Sequence, residues 1–231
     1  MRPFAATPTI SVFHGAAAFF YRGVAQGAAP SVGDVQGVFE TMKNLETDHR
    51  PVRFGEKDTK EALRDLGRRM LAVLCPAHEP RVEVLAVEEP FRVPLIDPET
   101  GEILDRDLVG TLDRVEKDAD GRVVVVDLKT AARKYSDLQV EASLQLSVYS
   151  YATAMNGLGD QEDLWLRFDV LTKTKTPELH RYWTTRDRRA TRRLYRLAAE
   201  VLHAIEGEVF PPVVGWQCES CPFRSRCWAW R

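Results

Sequence analysis

Two acidic residues and a lysine flank a predicted hairpin, and their types and spacing suit metal-assisted chemistry on a phosphate. Residues 118–121 form a turn signal, with Asp113 before it and Asp127-Leu-Lys129 after it. Because Asp113 and Asp127 are about equally far from this turn, we expect them to lie opposite each other. Lys129 should share a strand face with Asp127, since alternate residues of a strand project to one side. Two carboxylates and an ammonium so placed predict a site for a divalent cation beside a reacting phosphate.

The residues before Asp127 favour a site over a solvated surface. Residues 123–126 are four consecutive valines, which is typical of a strand buried on both faces. The alternative is an exposed strand with alternating charges, and an Asp-X-Lys triplet alone is common. An apolar run that ends abruptly in Asp-Leu-Lys-Thr argues against that alternative.

A helix predicted over residues 138–155 carries the next polar pair. Gln145 and Tyr149 are four residues apart and therefore share a helix face, and Glu141 extends this stripe one turn earlier. Because the remaining faces are apolar, we expect the helix to be largely buried. A buried Gln needs a hydrogen-bond partner, and the alternative to a functional role is a structural bond to neighbouring backbone.

Together, Asp113, Asp127-X-Lys129 and Gln145-X-X-X-Tyr149 resemble the PD-(D/E)XK nuclease superfamily and, within it, the RecB-like nucleases. The resemblance implies that carboxylates and one carbonyl hold Mg²⁺ or Mn²⁺, that the lysine orients water or stabilises charge, and that the Gln/Tyr pair positions the DNA strand. The implied metal ligands are His14, Asp113, Asp127 and the carbonyl of Leu128; the implied catalytic residues are Asp113, Asp127, Lys129, Gln145 and Tyr149.

Three cysteines near the carboxyl end form a second candidate metal site. Cys218, Cys221 and Cys227 are spaced by two and five residues in a Pro-containing segment, and such thiolates can wrap one metal centre. With the nuclease motifs they resemble the iron–sulfur branch of the RecB-like family, which includes CRISPR-associated exonucleases and the AddB nuclease domain. The resemblance implies a [4Fe–4S] cluster; zinc bound by thiolates is the competing interpretation.

The amino-terminal end departs from this branch. His14 fits the histidine of the family's Gly-X-X-X-His motif, but Ile10 stands where the glycine is found, and no cysteine precedes it. We expect the fourth cluster ligand to lie in a leading segment ahead of this sequence or to be Cys75. The alternative to ligation is that Cys75 is an inert core residue, since a free cysteine behaves as a small hydrophobe.

An arginine-rich segment is the candidate nucleic-acid contact. Residues 181–196 contain seven Arg and one Asp, and a helix is predicted from about Thr185 with an apolar face at residues 194–205. The planar guanidinium suits phosphate binding, whereas a charge run of this kind is otherwise a solvated face. The candidate DNA-binding residues are Arg189, Arg192, Arg193 and Arg196.

Length and composition fit a mixed α/β protein with an appendage. The 231 residues are 44% hydrophobic, and the net charge of −2 does not suggest a general polyanion binder. We predict a helical region at 1–80, a nuclease core at 81–206 and a Cys-rich tail at 207–231. We expect strands at 82–87, at 91–96, in the hairpin and at 164–171, and we expect the strand at 164–171 to be the last of the sheet. The predicted fold is therefore a restriction-endonuclease-like mixed sheet flanked by helices.

The composition also indicates a location, and with the motifs it indicates a function. No apolar run is long enough to cross a membrane, no secretory signal is evident, and clustered cysteines suit a reducing compartment, so we expect a cytoplasmic protein. The expected function is a metal-dependent exonuclease acting on single-stranded or frayed DNA ends. One alternative is a non-catalytic DNA-binding or iron–sulfur subunit of a repair, recombination or CRISPR adaptation complex. Another is a metal–thiolate interaction module with a structural hairpin.

Overall fold

A computed structural model describes residues 8–49, 59–219 and 221–229. One five-stranded sheet has the order β1-β2-β3-β4-β5; only β3 and β4 are parallel neighbours. The strands are β1 (Glu83–Val93), β2 (Leu108–Lys117), β3 (Val123–Ala131), β4 (Trp165–Thr172) and β5 (Leu179–Thr184). This architecture confirms the predicted mixed α/β sheet with flanking helices.

Helices cover both faces of the sheet, so two hydrophobic cores form. The helices are α1 (Pro8–Ala25), α2 (Val32–His49), α3 (Lys60–Leu74), α4 (Asp137–Glu141), α5 (Leu144–Met155), α6 (Arg188–Glu206) and α7 (Arg224–Trp228). Helices α1 to α3 bury their apolar faces in one core, together with Leu128 and Leu171. Helices α5 and α6 form the other core, with Val125 and Phe168.

The central strand β3 matches its sequence pattern. Residues 124–126 are completely buried, because β3 lies between β2 and β4 and is covered on both faces. The turn that precedes it is also as predicted: Asp118 Oδ1 accepts hydrogen bonds from the backbone of Asp120 and Arg122, and Gly121 adopts φ 84°. That positive φ suits glycine.

The helix predicted over residues 138–155 is in fact two helices. Helix α4 ends before Ser143, whose backbone is extended and whose hydroxyl accepts a hydrogen bond from the N–H of Leu146. Serine competes for helical backbone groups in this way and therefore favours a helix start over a helix interior. The break places the amino terminus of α5 one residue before Gln145.

Two strand predictions were also wrong. Residues 83–93 form one strand where two were predicted, and Glu88 within it has a left-handed backbone (φ 53°). Strand β4 is not the last of the sheet, because β5 pairs with it antiparallel. The polar residues of β5, which overlaps the start of the arginine-rich segment, concealed it.

Helix α6 begins at Arg188, three residues later than predicted, and Asp187 caps it by accepting a hydrogen bond from the N–H of Ala190. Its buried residues lie in the first half of the helix. Leu197, Val201 and Ile205 are 43–51% exposed, so the predicted apolar face is largely uncovered. No helix in the described part of the chain is both long and apolar enough to span a membrane.

A cluster of four buried charged side chains, absent from the sequence predictions, lies between the sheet and α1. Arg114 contacts Glu116 (2.6 Å) and Asp169 (2.9 Å), and Arg167 contacts the same two acids at 2.9 and 2.7 Å. All four are at most 7% exposed, and the ring of Tyr21 on α1 lies 3.7 Å from the Arg114 guanidinium. Every charge in this buried charge cluster has an opposite partner, which buried ions require.

Candidate active site

The hairpin places the two aspartates opposite each other. The β2–β3 register pairs Arg114 with Val126, so the next position pairs Asp113 with Asp127. Asp113 Oδ2 accepts a hydrogen bond from the N–H of Leu128 at 2.9 Å. This bond fixes the Asp113 carboxylate against the end of the buried run of β3.

Asp127 is a buried carboxylate that contacts the ammonium of Lys129. Its side chain is fully buried, and neither oxygen accepts a well-aligned hydrogen bond from the described residues, although Lys129 Nζ lies 2.7 Å from Oδ2 as an ion pair. Burial, and then the charge of Asp113, raises the pKa of Asp127 to about 7. Because buried charge is costly and one ammonium cannot neutralise two facing carboxylates, the Asp113–Asp127 pair suits a divalent cation.

A chain of polar contacts joins α5 to this pair. Lys129 Nζ donates to Gln145 Oε1 at 2.7 Å, and Gln145 Nε2 donates to the Tyr149 hydroxyl at 3.1 Å. The Tyr149 hydroxyl lies 3.5 Å from Asp113 Oδ1, and burial raises its pKa, so it remains protonated. The polar residues of the hairpin and of α5 therefore gather at one place.

His14 reaches the same place from α1. Its Nδ1 is 3.9 Å from Asp113 Oδ2. Burial lowers the pKa of His14, although the charge of Asp113 opposes this effect. A neutral imidazole can serve as a metal ligand.

The donor set fits a hard divalent cation. Within the described ranges, no three His, Cys, Asp or Glu side chains already converge as a ligand set. However, Asp113 and Asp127 present carboxylates from adjacent strands, and Lys129 is the cation that contacts Asp127. Carboxylate and carbonyl oxygens are the ligands preferred by Mg²⁺ and Mn²⁺.

Glu88 is a nearby acid that the sequence analysis missed. The pairs Val87–Arg114 and Glu89–Leu112 place it opposite Asp113, in the left-handed conformation noted above. Burial, and then the charge of Asp113, raises the pKa of Glu88. An acidic pair followed by proline resembles a loop, so local sequence carried no signal for this position.

Arg186 was also missed, because it lies in the arginine-rich segment that was interpreted as surface. Its side chain is buried and donates to the carbonyls of Val140, Glu141 and Ser143 and to the Ser147 hydroxyl, at 2.9–3.3 Å. These bonds satisfy the backbone at the α4–α5 break. Arg186 thereby holds the end of α5 that carries Gln145.

The four candidate arginines of α6 differ in their surroundings. Arg192 forms an ion pair with Glu99, and Arg196 lies 3.8 Å from the same carboxylate. Arg189 and Arg193 are exposed, and neither has an ion-pair partner within the described ranges.

The cysteines divide into one buried thiol and three partly exposed ones. Cys218, Cys221 and Cys227 are free thiols in the tail, and Cys218 Sγ accepts a weak hydrogen bond from the Gly215 N–H at 3.4 Å. Cys75 lies in the core formed by α1 to α3, and burial raises its pKa to about 11. Its neighbours in that core are apolar side chains, which suit a cysteine that packs as a small hydrophobe.

Comparisons with known proteins agree with this fold. The family model described as the PD-(D/E)XK nuclease superfamily matches residues 11–228. A solved structure from Eubacterium rectale, named a "putative exonuclease", aligns with a TM-score of 0.57 at 14% identity, over 97% of this chain and 76% of that one. At this identity the likeness shows a shared fold alone.

A second solved structure, that of the protein SSO0001, aligns with a TM-score of 0.44 at 14% identity, over 82% of this chain and 77% of that one. This likeness is too weak to support an argument. No curated protein matches the sequence.

Proposed function

Because the chain belongs to the PD-(D/E)XK nuclease superfamily, we propose that it is a metal-dependent exonuclease that hydrolyses phosphodiester bonds at single-stranded or frayed DNA ends. One observation carries this proposal: the Asp127 carboxylate is buried opposite Asp113, and the cation that contacts it among the described residues is Lys129, at 2.7 Å. One ammonium leaves two facing carboxylates with a net negative charge, and a divalent cation would neutralise it.

In the proposed mechanism, the side chains at the strand ends hold the cation and the α5 residues prepare the lysine. Asp113, Asp127, the Leu128 carbonyl and His14 would hold Mg²⁺ or Mn²⁺, which when bound lowers the pKa of a water and neutralises charge on the phosphate. Lys129 is held by its contacts with Asp127 and Gln145. Its ammonium is therefore oriented before substrate arrives, and it donates to the water or to a phosphate oxygen. Tyr149 and Gln145 keep that arrangement and line the path of the strand.

One observation supports exonuclease action within the broader nuclease assignment: the Gln145-X-X-X-Tyr149 pair resembles the RecB-like helical motif. The test uses linear and circular single-stranded DNA of one sequence, with Mg²⁺, Mn²⁺ or EDTA. Metal-dependent loss of the linear DNA only is expected. Cleavage of the circle would show an endonuclease, and no cleavage with either metal would favour a non-catalytic DNA-binding subunit.

The exposed arginines of α6 are proposed as phosphate contacts. Replacing Arg189 and Arg193 with Gln is expected to lower the slope of log affinity against log salt concentration by about 0.7 per lost contact on single-stranded DNA. Fluorescence anisotropy in EDTA measures binding without cleavage. Replacing Arg192 and Arg196, which share the Glu99 carboxylate, should change the slope less. A wild-type slope in the first variant would show that this helix face is merely solvated.

The tail cysteines are proposed to bind one iron–sulfur centre that clamps the end of the chain. Their spacing supports this proposal, and the apolar core around Cys75 favours a packing role for that residue. Cys221→Ser is expected to lose the iron and sulfide of anaerobically purified protein, together with its broad visible absorbance. Cys75→Ser, the matched thiol removal, should lower the free energy of unfolding but keep the metal.

Metal analysis distinguishes three other outcomes. Loss of iron from Cys75→Ser would make that residue a ligand. Stoichiometric zinc in a colourless protein would overturn the proposal of an iron–sulfur centre but would support a metal that clamps the end of the chain. Absence of any metal bound to the tail thiols would overturn both.

A further inference from the structure

A loop leaves the carboxyl end of β4 beside the candidate active site. Strands β3 and β4 are parallel, so their carboxyl ends meet at one edge of the sheet, and the register pairs Lys129 with Val170 and Ala131 with Thr172. The N–H of Lys173 donates to the Ala131 carbonyl at 2.7 Å. The loop therefore starts next to a point two residues beyond Lys129, which is about 7 Å along the strand.

Threonine side chains brace this loop from inside. The Thr172 hydroxyl accepts a hydrogen bond from the Glu178 N–H at 2.9 Å and lies 3.3 Å from the Thr174 hydroxyl, which donates to the Thr176 carbonyl at 2.6 Å. Thr172 is buried, whereas Lys173 and Lys175 are exposed. The braced backbone thus holds two lysines outward at alternate positions.

The loop that follows β3 joins the same surface. Arg133 and Lys134 are exposed, and Lys134 Nζ lies 3.5 Å from a Glu178 carboxylate oxygen, which links the two loops. We call Arg133, Lys134, Lys173 and Lys175 the basic rim. With Lys129, the segments 129–136 and 172–180 contain five Lys or Arg and one acid, Glu178, in a chain whose net charge is −2. Positive charge is therefore concentrated at this edge.

We propose that the basic rim binds the backbone phosphates of a single DNA strand on one side of the scissile bond, an inference that rests on the proposed function. Three features support it. The rim continues from Lys129, its lysines project from a braced loop, and Arg133, Lys173 and Lys175 have no ion-pair partner in the described part of the chain. Cations that no carboxylate neutralises are the groups that displace counterions from a phosphate backbone.

The sheet offers a matched control for this proposal. Arg81 and Lys117 are exposed and lie at the opposite edge, because Lys117 pairs with Val123 at the start of β3 and with Glu83 at the start of β1. Lys173→Gln with Lys175→Gln removes the same net charge as Arg81→Gln with Lys117→Gln. Lys173→Arg with Lys175→Arg keeps the charge and checks that the loop tolerates substitution.

The experiment measures the fluorescence anisotropy of a labelled single-stranded oligonucleotide in EDTA. The salt concentration is varied from about 50 to about 200 mM, because phosphate contacts weaken strongly over this range. The Gln pair in the rim should lower the log–log salt slope by about 1.4, which corresponds to two phosphates on single-stranded DNA. The control pair and the Arg pair should keep the wild-type slope. Three results would overturn the proposal that the rim binds phosphates: a wild-type salt slope for the rim variant, an equal fall of the slope in the control pair, or no DNA binding by the wild type.

Cleavage assays separate this inference from the proposed function. Rim-dependent binding by a wild-type protein that cleaves no DNA with Mg²⁺ or Mn²⁺ would overturn the nuclease proposal and support the rim. Metal-dependent cleavage by a wild-type protein whose binding does not depend on the rim would overturn the rim alone.

Discussion

Asp127→Asn and Asp113→Asn are each expected to reduce metal-dependent DNA cleavage by about 1,000-fold or more. Each change removes a charged ligand, and the charge stabilisation supplied by a metal ion is worth several kcal/mol, at about 1.4 kcal/mol for each tenfold in rate. Mn²⁺ binding, measured by calorimetry, should weaken in both variants. DNA binding in EDTA should remain, since phosphate contacts lie elsewhere.

Asp163→Asn is the matched control, because Asp163 is an exposed acid that precedes β4. It should cleave as the wild type does. Wild-type cleavage by either site variant would remove these aspartates from the mechanism.

The same Asp127→Asn variant has a second expected effect, on stability without metal. Folding raises the pKa of Asp127 from 3.8 to about 7, so the folded protein favours the protonated form. The stabilisation from this group is complete below about pH 4 and is lost as the pH rises to about 7. Urea unfolding in EDTA should therefore show wild-type stability falling over that range relative to Asp127→Asn. Parallel pH profiles would contradict the raised pKa of the buried Asp127 carboxylate.

Asp169→Ala is expected to lower the free energy of unfolding by about 3–5 kcal/mol. The change would leave Arg114 and Arg167 buried with one acid, Glu116, between them. Urea unfolding monitored by circular dichroism measures the loss. Asp163→Ala removes an exposed acid and should cost less than about 0.5 kcal/mol.

A double variant separates charge imbalance from packing in this experiment. Replacing Arg167 with Met in the Asp169→Ala background restores one positive to one negative charge, and it should recover part of the stability. A loss below about 1 kcal/mol for Asp169→Ala would show that the buried charge cluster is not tightly coupled.

Short-range patterns predicted the hairpin and its polar groups well. The turn at residues 118–121 and the valines of β3 fix which residues oppose each other, so the arrangement of Asp113, Asp127 and Lys129 follows from local spacing. Each of these signals acts within a few residues.

The remaining features depend on contacts that sequence spacing does not reveal. Arg186 bonds to carbonyls more than 40 residues earlier, and nothing near it distinguishes it from exposed arginines. Arg114 and Glu116 resemble alternating surface charges until Arg167 and Asp169 on β4 neutralise them. The break between α4 and α5 depends on Ser143, which is also compatible with a helix interior.

The position of β3 between β2 and β4 has a consequence for synthesis on the ribosome. The hairpin that carries both aspartates emerges first, but one edge of β3 remains unpaired until β4, which ends at Thr172, has followed it. An apolar strand with an open edge invites aggregation. A nascent chain that stalls between these two strands therefore exposes a hydrophobic strand edge while its active site is still incomplete. A translation pause at this point favours aggregation of the chain before the chain can act on nucleic acid.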